Sequence, residues 1–114
     1  MTPAIINLPT AYRGDIYEPI SFVLTEIVND VEVPLDISNA SYAMEFKRAQ
    51  TKELVLRVDT FTLIGTNQIR TGELIFPKFG MLEYDLQITF PTARPITYFR
   101  GKIEVLNDVT DSNN

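Results

Sequence analysis

Apolar and polar residues alternate with a period of two along most of this chain. Ile20, Phe22 and Leu24 alternate with Ser21 and Thr25. Ala40, Tyr42, Met44 and Phe46 alternate with Ser41, Glu45 and Lys47. Leu54, Leu56 and Val58 enclose Arg57, with Asp59 following, and Tyr84, Leu86, Ile88 and Phe90 alternate with Asp85, Gln87 and Thr89. Near the end, Phe99, Ile103 and Val105 share one parity, and Arg100, Lys102 and Glu104 take the other. Such alternation predicts strands with one face on a core and one in water. No stretch carries the i, i+3, i+4, i+7 stripe of an amphipathic helix.

Turn signals separate these runs. Asn29-Asp30 predicts a hairpin with Val31 to Pro34 returning, and Ala49-Gln50-Thr51 joins the run ending at Phe46 to the one starting at Glu53. Gly65-Thr66-Asn67, Pro77 to Gly80 and Pro91 to Pro95 are further breaks. The reading is an all-β chain, an antiparallel immunoglobulin-like β-sandwich of about seven to nine strands. The expected core is Phe22, Leu24, Tyr42, Met44, Phe46, Leu56, Leu86, Ile88, Ile103 and Val105.

The 114 residues suffice for one domain, read as 1–109, with 110–114 a frayed polar tail or the start of a linker. The chain has no cysteine and no histidine. A disulfide framework, a thiolate metal site and the usual general base are therefore absent. The net charge of −5 disfavours a phosphate-tracking nucleic-acid binder. No apolar run approaches the roughly 20 residues of a membrane-spanning helix. The N-terminus lacks the pattern of a secretory signal, so synthesis in the cytoplasm is expected.

Several local motifs invite a functional reading. Arg13-Gly14-Asp15 spells an adhesion tripeptide, but Ile16 and Tyr17 follow at once, so a strand start with a bend at Gly14 is the simpler account. Asn39-Ala40-Ser41 matches a glycosylation sequon, which carries no weight without a secretory signal. Asp30, Glu32 and Asp36 match no calcium-loop spacing and read as a solvated face. No metal and no cofactor are expected. Lys47, Arg48, Lys52 and Arg57 cluster around one hairpin, where they could dock an acidic partner or guard a sheet edge. Tyr84 is placed to bond back to the backbone of the corner preceding its strand.

Tyr12-Arg13-Gly14-Asp15 opens the chain and Pro34-Leu35-Asp36-Ile37-Ser38-Asn39 leads into a strand. Tyr84-Asp85-Leu86-Gln87 follows a glycine, and Gly101-Lys102-Ile103-Glu104-Val105 precedes Asp108-Val109-Thr110. The order of these short strings resembles the small β-sandwich modules of tailed-phage baseplate and tail proteins. Each motif is short, and Ser38-Asn39 stands where such modules often carry a glycine. The resemblance implies a non-enzymatic virion or prophage tail component that binds other tail or baseplate proteins and copies of itself. It implies no catalytic residue.

The alternative is a cell-surface immunoglobulin-like or carbohydrate-binding module, with Tyr12, Tyr17 and Tyr98 offered to sugar rings. An enzyme would have to rely on carboxylates alone, with Glu83 and Asp85 the most obvious pair. For assembly, the expected contact is an edge strand at Ile5, Ile6 and Leu8, ended by Pro9, with Lys47, Arg48 and Lys52 steering an acidic neighbour.

Overall fold

The computed structural model describes residues 3–107, and all regular secondary structure among them is strand. Thirteen strands are formed among the described residues. They are β1 (Ala4–Ile5), β2 (Ala11–Tyr12), β3 (Ile16–Tyr17), β4 (Ser21–Val23), β5 (Thr25–Val28), β6 (Val31–Pro34) and β7 (Ser41–Arg48). After these come β8 (Leu54–Val58), β9 (Phe61–Ile64), β10 (Gln68–Thr71), β11 (Leu74–Ile75), β12 (Gly80–Thr89) and β13 (Ile96–Leu106). The all-β, largely antiparallel character expected from the alternation is what the chain adopts.

The largest sheet runs β1-β13-β12-β7-β8, with β2 also paired to β13. Its centre is β12, which buries Leu82, Tyr84, Leu86 and Ile88 and turns Glu83, Asp85 and Gln87 to the other face. Pleating forces this division, because successive side chains leave a strand on opposite sides. The neighbours obey the same parity: Phe46 pairs with Tyr84, Met44 with Leu86, and Ile103 with Leu82. A three-stranded sheet, β4-β10-β9, contributes Phe22 and Ile69 to the core. Two short ladders, β11 with β3 and β5 with β6, complete the pairing.

The count of thirteen exceeds the expected seven to nine. Runs that read as single strands are divided where the chain changes partner. The run from Ser21 to Val28 leaves β10 and joins β6 at Leu24, whose N–H donates to Asn67 O (2.8 Å) and whose C=O accepts from Leu35 N (3.1 Å). The two-residue strands β1, β2, β3 and β11 lie in segments interrupted by Pro3, Pro9, Pro19 and Pro77, which have no N–H to offer a ladder.

Eight of the ten expected core residues are buried: Phe22, Leu24, Met44, Phe46, Leu86, Ile88, Ile103 and Val105. Tyr42 and Leu56 are corrections, because both stop at the rim, half-buried against that cluster. Ile37 and Phe76 are fully buried from outside any strand, and Ile69, Leu82 and Tyr84 join them from strands. Phe76 packs edge-on against Phe46, with ring centroids 4.9 Å apart, and against Tyr17 at 5.6 Å. Such loop-borne core residues carry no period.

The corner role expected of Tyr84 belongs to Tyr42. The Tyr42 hydroxyl donates to Ile37 O (2.5 Å), five residues upstream, and closes the turn that enters β7. Tyr84 instead reaches the N-terminal segment. Asn29 and Asp30 both take positive φ (53° and 64°), the signature of a type I′ hairpin turn, and they close β5 on β6 as expected.

Candidate functional site

The N-terminal segment is an added edge. Strand β1 pairs in parallel with β13, Ala4 opposite Phe99 and Ile5 opposite Arg100. Ile6 N donates to Arg100 O (2.8 Å), Leu8 N to Lys102 O (2.9 Å), and Lys102 N to Asn7 Oδ1 (3.0 Å). Ile5 is 66 % exposed and Ile6 is 42 % exposed, whereas Leu8 packs half-buried on the core. Pro9 lies in the gap between this pairing and the next. The chain rejoins β13 beyond it, with Ala11 opposite Val105 and Tyr12 opposite Leu106.

Two residues of the central strands hold that segment. The Tyr84 hydroxyl donates to Ile6 O (2.6 Å), and Gly101, directly across from Tyr84, has no side chain to obstruct the approach. A Cβ at Gly101 would lie 2.0 Å from Ile6 O and 3.0 Å from the Tyr84 ring. Burial pushes the Tyr84 phenol up to about 12, because the phenolate would lose its hydration.

The basic cluster is less available than its sequence suggests. Lys47 lies 3.6 Å from Glu45, Arg48 Nε 3.0 Å from Glu53, and Lys52 pairs with Glu83. Arg48 also donates to Phe79 O (3.2 Å), Arg57 bridges Glu45 (2.6 Å), and Lys78 bridges Glu53 (2.9 Å). Hydrogen bonding and charge from Lys78, joined by Arg48, hold Glu53 below the usual carboxylate range, and a hydrogen bond from Lys52 does the same for Glu83. A cation already matched to a carboxylate exerts little long-range pull on an acidic partner.

These charges tile the outer face of the large sheet. One cross-strand row runs Arg57, Glu45, Asp85, Arg100, and the next runs Lys47, Glu83, Lys102. Asp85 is raised by burial first and by Glu45 second. A shallow hollow of about 370 Å³ lies here, lined by Glu45, Lys52, Glu83, Asp85 and Arg100. Lys52 occupies Glu83, and a charge-balanced lattice of this kind forms a solvated face. No group of three or more metal-ligating side chains occurs among the described residues. Asp36 is engaged within its own turn, accepting from Ser38 N (2.9 Å) and Ser38 Oγ (2.6 Å), and Glu32 accepts from Thr25 Oγ1 (2.7 Å).

The aromatics considered for sugar stacking are dispersed. Tyr12 is exposed, but Tyr17 is half-buried with its hydroxyl on Pro9 O (2.7 Å), and Tyr98 packs against the core. A cleft of about 530 Å³ is lined by Leu8, Pro9, Tyr12, Ile16, Tyr17 and Ile20, and so falls beside the N-terminal edge. Arg13 and Gly14 form the turn between β2 and β3, Gly14 at φ 85°, and Arg13 Nε is fixed on Asn107 Oδ1 (2.9 Å).

The most conspicuous apolar surface was not anticipated as a site. All four residues of β5 are exposed, as are three of the four in β6. Ile27 (68 %), Val31 (58 %), Val23 (55 %) and Val28 (45 %) gather on this hairpin and the strand feeding it. The signal is present in the sequence as a local failure of alternation: Ile27-Val28 and Val31 put apolar side chains on both faces around the Asn29-Asp30 turn. Among the described residues, the hairpin's principal contacts are within itself.

No protein-family model matches the chain, and no curated protein matches it.

Proposed function

We propose that this chain is a non-enzymatic assembly module of a phage or prophage tail, built on an immunoglobulin-like β-sandwich and joined to other tail subunits. One observation carries the assembly part, the exposed apolar hairpin β5–β6. An isolated two-stranded hairpin is marginal in water, and one with exposed apolar side chains on both faces favours burial against a partner. The tail context is supported by the order of sequence motifs from Tyr12 to Val105. On this reading the protein is made in the host cytoplasm and joins the virion at assembly.

The test is to purify the chain, mix it with the products of neighbouring genes, and measure mass in solution. A complex with a tail or baseplate protein is expected. It should be lost when Ile27→Ser, Val28→Thr and Val31→Thr are combined in a chain that keeps its melting temperature. Failure of every neighbouring tail product to bind, or unchanged binding by the triple variant, overturns the proposal.

A further inference from the structure

We infer that the free edge formed by β4 and β5 pairs antiparallel with the same edge of a second copy, about a two-fold axis at Thr25. The inference deepens the assembly reading by naming one partner.

The edge is defined by backbone geometry. Among the described residues, strand β4 is terminal in its sheet, and β5 pairs on one side alone, with β6. Leu24 turns both its N–H and its C=O toward Asn67 and Leu35. Backbone groups alternate in direction along a strand. Ser21, Val23, Thr25 and Ile27 therefore aim theirs away from β10 and β6. The result is an eight-residue stretch with an outward row of donors and acceptors.

Edges of this kind are ordinarily blocked by proline, lysine or a bulge. The opposite margin of the hairpin is blocked: Pro34, across from Thr25 on β6, has no N–H to offer. The N-terminal margin carries Pro3 and Pro9. Ser21 to Val28 carries no proline and no lysine, and its one charge is Glu26.

The stretch is also self-complementary, which points to a second copy. Val23-x-Thr25-x-Ile27 has a β-branched apolar residue, a threonine, and a second β-branched apolar residue at steps of two. Antiparallel pairing centred on Thr25 sets Val23 opposite the partner's Ile27, twice, and Thr25 opposite the partner's Thr25. Apolar β-branched pairs and Thr–Thr pairs are favourable cross-strand neighbours. Glu26 then faces the partner's Leu24 and not the partner's Glu26. Shifting the centre by one residue to Glu26 would oppose the two carboxylates. A two-fold, isologous contact follows, which closes as a dimer.

The experiment uses the whole chain, whose lack of cysteine makes single thiols unambiguous. Sedimentation across a range of concentrations is expected to show a monomer–dimer equilibrium. Thr25→Cys is expected to cross-link to itself with a short bifunctional thiol reagent, because paired residues on adjacent strands have Cα atoms about 5.5 Å apart. Val23→Cys and Ile27→Cys should each cross-link poorly alone and efficiently when mixed. Val23→Glu sets a carboxylate against the partner's apolar Ile27 and removes two apolar pairs per dimer. It should weaken the dimer about tenfold or more, with an unchanged melting temperature for the exposed site. A chain that stays monomeric throughout, or cross-linking that ignores this register, overturns the inference. A dimer that binds no tail protein would overturn the tail assignment and leave the dimer standing. A monomer that binds one would do the reverse.

Discussion

The hydroxyl of Tyr84 donates to the carbonyl of Ile6 at 2.6 Å, across 78 positions of sequence. It ties the central strand of the large sheet to the segment that closes the sheet's edge. Gly101, between the two, is the residue over which the ring passes. An aromatic laid across a facing glycine covers backbone that would otherwise lack a side chain to pack.

Tyr84→Phe removes the donor and leaves Ile6 O without its side-chain partner. The expected loss is about 1–2 kcal/mol, measured as a shift in the urea midpoint. Amide exchange at Ile6 and Leu8 should accelerate while that of Leu86 is little changed, since the edge is released before the core. Equal acceleration at all three would show that the bond serves the whole fold and not the edge.

Gly101→Ala should do more damage than Tyr84→Phe. Its Cβ would meet backbone, Ile6 C at 2.6 Å as well as Ile6 O, so no rotation of a side chain relieves the clash. The N-terminal segment should leave β13, seen as loss of protection at Ile6 and Leu8 and as new proteolysis before Pro9. An alanine variant with wild-type protection would refute this role for the glycine.

Leu86→Ala tests the parity of β12. Leu86 is fully buried, packed between the positions of Met44 and Phe99 on the neighbouring strands. Truncation should cost about 2–5 kcal/mol. The neighbouring Gln87→Ala, on the opposite face, should stay within about 0.5 kcal/mol. Chemical denaturation of the two variants decides it.

Alkaline titration should show a late tyrosine step that belongs to Tyr84. Its folded phenol is raised to about 12 from the ordinary 10.0. The unfolded chain therefore releases this proton first as pH rises. The stability linked to Tyr84 is complete below pH 10 and declines as pH climbs toward 12. Phenolate absorbance followed against pH should lose this late step in Tyr84→Phe. A late step that survives in that variant assigns it to another residue.

The candidate site was legible only in part. Ile5, Ile6 and Leu8 do lie on a sheet edge, as apolar residues bounded by prolines suggest. Lys47, Arg48 and Lys52 lie close in sequence, yet each meets a carboxylate: Glu45 two residues back on the same face of β7, Glu53 across the turn, and Glu83 on β12. Only the last needs the strand pairing that lays the β7–β8 turn beside β12. The exposed hairpin was written in Ile27-Val28-Asn29-Asp30-Val31, but a broken alternation reads equally as a fully buried strand.

What the sequence by itself determined is local. The period of two dictated strands, because a pleated backbone sends successive side chains to opposite faces whatever lies beyond. Asn29-Asp30 dictated a hairpin, because those residues tolerate the positive φ that a type I′ turn requires. Only the tertiary structure decided which strands adjoin. Ile37 and Phe76 sit in irregular segments outside the strands, and no period announces their burial. Tyr42 and Tyr84 are alike in sequence context, yet one closes its own corner and the other crosses the sheet to Ile6. Strand pairing joins residues far apart in the chain, and backbone donors and acceptors are the same at every position. The partner of an edge is therefore chosen by packing and register, which arise when the whole chain has collapsed around one core.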